Sequence, residues 1–111
     1  MKNDLVYLSQ ILDAVEKILQ FSKDYDYQGF IQDPKTQSAV ILQMILVGEL
    51  AKKISSTTHD QIPLPWKEIK GFRDRAIHDY YQLDLDIVWR TIQEDILLLD
   101  REIRKHVENS T

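Results

Sequence analysis

Residues 84–105, DLDIVWRTIQEDILLLDREIRK, decide the fold. Leu85, Val88, Trp89, Ile92, Ile96, Leu99 and Ile103 recur at steps of three and four, which lines them along one face of an α-helix. Asp84 stands where an N-cap belongs, because its carboxylate can accept an unpaired first-turn amide. Asp86 in the first turn and Arg101, Arg104 and Lys105 in the last suit the helix dipole. The spacing predicts one long helix over this segment, with a stripe long enough to serve both a core and a dimer interface.

The same period continues toward the N-terminus. Leu5, Leu8, Leu12, Val15 and Leu19 mark a first helix from about Asp4 to Phe21, with Asp4 as its N-cap. Lys23 to Asp33 has no helical period and reads as a connection. Asp33-Pro34 is an N-cap followed by proline at the first helical position, where a missing amide costs nothing. The second helix runs from there to about Ile54 and buries Val40, Met44, Val47, Ala51 and Ile54. Ser55 to Leu64 reads as a loop, and Pro65 opens a shorter third helix through Trp66, Ile69 and Phe72 to about Ile77. No convincing stretch alternates with period two. The expectation is an all-α, four-helix up-and-down bundle with a short extra helix or turn, its neighbours mostly antiparallel because the connections are short.

Composition bounds what such a bundle can do. A chain of 111 residues is expected to form one domain, 1–111, with a single core and no room for two lobes around a deep cleft. An active site here is therefore shallow, or is completed by a second copy or a partner. The chain has no Cys, which excludes disulfides, thiolate zinc sites and a thiol nucleophile, and fits a reducing cytoplasm. Eighteen acidic against fourteen basic residues give a net charge of −4, which argues against blanket coating of nucleic acid but says nothing about a local basic site. The N-terminus runs into an amphipathic pattern rather than a signal peptide, and the apolar stretch Ala39 to Leu50 is too short to span a bilayer, so no membrane is expected.

Chemistry concentrates in residues 71–80, GFRDRAIHDY. Lys67 and Lys70 lie just upstream, so this segment is basic although the chain is acidic. Asp74 and His78, four apart, share one helix face and can hydrogen-bond, which fixes the imidazole tautomer. Arg73 and His78, five apart, point about 140° apart in a regular helix. They converge only if the helix ends near His78 or if they meet across a subunit interface. Arginine offers a permanent bidentate charge to phosphate oxygens, and histidine can take and return a proton near neutrality. That pair suits phosphodiester cleavage of RNA, whose 2′-hydroxyl is a built-in nucleophile. Elsewhere, Glu49 either braces Arg73 or pairs with Lys53, and Gly48 allows close helix approach. Trp66 and Trp89 read as core, while His59 and His106 read as surface residues with no metal-site partners.

Arg73-x-x-x-x-His78-x-Tyr80, with Asp74 directly after the arginine, resembles the signature of HEPN ribonucleases, and in particular the HepT-like toxins of HEPN–MNT pairs. The segments Val47 to Lys53, Ile62-Pro63 through Pro65 to Ile69, and Leu85 to Trp89 resemble family segments in the same order. The resemblance implies a type VII toxin, a homodimer that cleaves RNA without metal or cofactor. It implies Arg73 at the scissile phosphate, His78 in proton transfer and Asp74 in support. It further implies a cognate minimal nucleotidyltransferase antitoxin that blocks the toxin by transferring AMP from ATP to Tyr80. Tyr81 is a second candidate for that modification; spacing favours Tyr80. The competing expectation is a non-catalytic nucleotide- or substrate-binding subunit of a nucleotidyltransferase complex, with Arg73 holding a phosphate.

Overall fold

The computed structural model describes residues 2–110. Its helices are α1 (Lys2–Ser22), α2 (Tyr27–Ile31), α3 (Pro34–Lys53), α4 (Ser56–Gln61), α5 (Trp66–His78), α6 (Leu85–Gln93) and α7 (Asp95–Asn109), with a 3-10 turn at Tyr80–Gln82. Among the described residues there is no strand. Four rods, α1, α3, α5 and the consecutive pair α6–α7, make the expected all-α bundle. α1 packs against α3 and α7, and α3 packs against α5. Asp4 at the start of α1 meets Ser55 just past the end of α3, so those two run antiparallel. The Cα envelope measures 41 × 29 × 18 Å. Its thinnest dimension holds about two helix layers at 8–10 Å between axes, so a rod can keep one face uncovered.

The apolar stripes meet in one core. Leu8, Ile11, Val15 and Ile18 of α1 pack with Val40, Met44, Val47 and Ala51 of α3, and with Val88, Ile92, Ile96, Leu99 and Ile103 of α6 and α7. Trp66 is buried, with its indole N–H donating to the carbonyls of His59 and Ile62, and Trp89 is half-buried against Phe30. The expected caps form at Asp33, which accepts from the Thr36 amide, and at Asp84, which accepts from the Asp86 amide.

Four local expectations need correction. The segment 84–105 forms two helices rather than one, because the backbone breaks at Glu94 (φ −121°, ψ −67°). The apolar period runs through that break unchanged, so spacing cannot reveal it. The 23–33 connection contains α2, capped by Asp26 and anchored by buried Phe30. The 55–64 loop contains α4, capped by Ser55. Both helices are too short to display a period. Asp4 does not cap its own helix: it lies inside α1, buried, and its carboxylate accepts from the Ser55 amide and from the hydroxyls of Ser55 and Thr58. Burial pushes this carboxyl up, but the Ser55 and Thr58 bonds outweigh it and hold the group below its ordinary value.

Candidate active site

The site is built where α3 and α5 cross most closely. A Cβ added to Gly48 of α3 would stand 2.4 Å from Arg73 Cβ and 3.2 Å from the Ile69 carbonyl oxygen. Only a residue without a side chain lets the two backbones sit this near. Further along, Ser38 Oγ lies 3.2 Å from the Tyr80 hydroxyl, so α3 and α5 run antiparallel.

This approach sets Arg73 against α3. Its Nε contacts Glu49 Oε1, and both of these atoms are out of reach of solvent. Its Nη1 donates to Asp74 Oδ1 at 3.0 Å. The Asp74 bond, opposed by partial burial and reinforced by Glu49, raises the guanidinium pKa above its ordinary value. Glu49 therefore pairs with Arg73 rather than with Lys53, whose Nζ instead lies 5.6 Å from the Tyr7 ring centroid. Asp74 Oδ1 also accepts from Lys52 Nζ at 2.6 Å. The Lys52 bond first and the Arg73 bond second hold the Asp74 carboxyl below the usual carboxylate range.

His78 is the last residue of α5, exposed, its side chain without a hydrogen bond or ion pair among the described residues. The expected Asp74–His78 bond does not form; Asp74 Oδ1 accepts from Lys52 and Arg73 instead. Although α5 ends at His78, it is helical through that residue, so the regular-helix angle of about 140° between Arg73 and His78 still holds within one chain. The chain thus brings together Arg73, Asp74, Glu49 and Lys52, and leaves His78 exposed at the end of α5. Tyr80 opens the following 3-10 turn with its hydroxyl at Ser38, while Tyr81 is 95% exposed and meets Tyr80 edge-on at 5.7 Å.

Lys52 and Ser38 are the site neighbours that the sequence reading passed over. Lys52 carried a signal: it stands four residues after Gly48 and three after Glu49, on one helix face. Ser38 carried none. His59, read as a surface residue, is half-buried instead, its Nε2 2.9 Å from the Ala51 carbonyl oxygen and its ring 4.6 Å from Trp66. Among the described residues no group of three or more His, Asp or Glu side chains is arranged to hold a metal, and no helix is long and apolar enough to cross a membrane. A groove of about 230 Å³ between α5 and α6–α7, floored by Met44, Phe72 and Leu99, is lined by neither Arg73 nor His78.

The family model described as "Ribonuclease HepT-like" matches residues 11–106. The chain is 36% identical over 100 residues to "Probable ribonuclease HepT" of Thermococcus cleftensis, covering 89% of this chain and 91% of that protein. It is 34% identical over 110 residues to "Putative RNase MJ0125" of Methanocaldococcus jannaschii, covering 97% and 95%. A second protein of that organism, "Putative RNase MJ1380", is 32% identical over 98 residues, covering 87% and 90%. No solved structure matches the chain.

Proposed function

The chain belongs to the ribonuclease HepT-like family, and on that premise we propose that it is a metal-independent endoribonuclease, active as a cytoplasmic homodimer and serving as the toxin of a toxin–antitoxin pair. The observation that carries this reading is the braced guanidinium. Arg73 is held at Nε by Glu49 and at Nη1 by Asp74, which leaves Nη2 without a partner among the described residues. A cation held in place before substrate arrives spends no reorganisation on the transition state.

In this reading Arg73 binds a non-bridging oxygen of the scissile phosphate. His78 takes the proton of the 2′-hydroxyl, O2′ bonds to phosphorus, the bond from phosphorus to the 5′-oxygen breaks, and an imidazolium returns a proton to that oxygen. The products are a 2′,3′-cyclic phosphate and a 5′-hydroxyl. Asp74 supports the motif by holding Arg73 in the free chain.

The divergence of Arg73 and His78 motivates the dimer, in which Arg73 of one copy works with His78 of the other. A face for the second copy adjoins the site. Leu42 and Leu46 follow Ser38 at four-residue steps on α3, Ile77 follows Arg73 by four residues on α5, Tyr80 lies in the 3-10 turn just after it, and all four are exposed. Neutralisation follows the family pattern: the Tyr80 oxygen attacks the α-phosphorus of ATP on a cognate nucleotidyltransferase antitoxin, pyrophosphate leaves, and the attached AMP blocks the RNA cleft.

The test is cleavage of total cellular RNA by purified, unmodified protein in EDTA. The reading expects fragments ending in 2′,3′-cyclic phosphate or its hydrolysis product, and a loss of about 100-fold or more in Arg73→Ala and His78→Ala with the helical fold retained. RNA that is bound but not cut would instead favour the non-catalytic subunit.

A further inference from the structure

We propose that Lys52 and Arg73 form a two-cation site for an RNA phosphate, and that the Asp74 carboxylate occupies this site in the free chain. The inference rests on the ribonuclease reading above. A single oxygen, Asp74 Oδ1, receives both Lys52 Nζ at 2.6 Å and Arg73 Nη1 at 3.0 Å. Two cations from two helices converging on one anionic oxygen is the arrangement a phosphate oxygen needs.

The two cations are held very differently. Arg73 is also ion-paired with Glu49 through atoms shielded from solvent, so it keeps a second anchor when Asp74 leaves. Lys52 has only Asp74, on a flexible four-carbon stem, and the side chains of this pair are 37% and 50% exposed. An exposed ion pair is weak and screened by salt, so a phosphate arriving at Arg73 can draw Lys52 across. Lys53, next in sequence, does not share this geometry, since its ammonium sits over the Tyr7 ring. In a chain of net charge −4, a cation beside the scissile phosphate also determines where RNA settles.

The test is the salt dependence of RNA binding. A fluorescein-labelled single-stranded RNA of mixed sequence is titrated with the dimer carrying His78→Ala, which stops cleavage. With Lys52→Gln added, affinity falls and the slope of log K against log salt loses about 0.7, the contribution of one single-strand phosphate contact. Lys52→Arg recovers the slope, and Lys53→Gln keeps it. A Lys52→Gln slope equal to the parent's, in a parent that binds RNA, overturns the two-cation site and leaves the ribonuclease reading standing. A strut joining α3 to α5 gives that result, with a lowered melting temperature as its only trace. A parent that binds no RNA while the wild-type dimer also cuts none removes the reading, and this proposal with it.

Discussion

Gly48 and Arg73 are locked together: the Cβ that glycine lacks would fall 2.4 Å from Arg73 Cβ, well inside van der Waals contact. The obstacle is the root of the arginine side chain rather than its flexible end, so rotation about χ angles cannot relieve it. The same close approach puts Glu49, the next residue on α3, against Arg73 Nε. One missing methyl thus positions the guanidinium.

Gly48→Ala is therefore expected to push α3 and α5 apart. Overpacking of this kind costs about 1–3 kcal/mol, read as a lower midpoint in urea. Cleavage should fall further than stability does, by about 10- to 100-fold, because a shift of roughly 1 Å misplaces Arg73. Wild-type cleavage in folded Gly48→Ala would show that the close approach does not serve the site.

The divergence of Arg73 and His78 along α5 leads to a complementation experiment. In the proposed dimer, Arg73→Ala and His78→Ala chains are each expected to be inactive, and co-expression is expected to give mixed dimers. One cleft of each mixed dimer then joins an intact Arg73 to an intact His78 from the other chain. RNA cleavage by the mixture, absent from either variant alone, is the expected result. Continued silence from isolated mixed dimers would place both groups of a site in one chain.

Tyr80 and Tyr81 differ in setting, and that bears on modification. The Tyr80 hydroxyl lies 3.2 Å from Ser38 Oγ, whereas Tyr81 is 95% exposed. Co-expression with the cognate nucleotidyltransferase should add AMP-sized mass steps to the peptide containing both. Tyr80→Phe is expected to lose them and Tyr81→Phe to keep them. The reverse pattern would move the modification to the freer phenol.

Acid is expected to destabilise the fold through Asp4. Burial raises this carboxyl but the Ser55 and Thr58 bonds lower it by more, so its folded-state pKa lies below the unfolded value. A depressed carboxylate contributes stability that is fully present above the unfolded pKa and is lost as pH falls through the folded one. Asp33, held down first by the Tyr25 hydroxyl and then by Thr36, acts in the same sense. Urea midpoints should therefore drop as pH is lowered from roughly 5 to 3. Asp4→Ala should cost about 2–3 kcal/mol at neutral pH and flatten that decline. A midpoint that rises on acidification would contradict the assignment.

Helices, caps and motif were legible because they depend on neighbours in the chain. The period of Val40, Met44, Val47 and Ala51 marks a buried face whatever packs on it, and Asp33-Pro34 marks a helix start from two residues alone. The short helices α2 and α4 escaped because five or six residues complete too little of a period. The kink at Glu94 escaped because the stripe passes through it in phase.

What stayed hidden depends on residues distant in sequence. Asp74 stands four before His78, and local spacing pairs them; the fold gives the carboxylate to Lys52, twenty-two residues away, and to its neighbour Arg73. By itself the sequence determined an all-α chain of the HepT-like family and pointed to a candidate site at the end of the third rod. Only the tertiary structure decided which acid holds the arginine, because a helix settles the direction of a side chain and the packing of two helices settles what it meets.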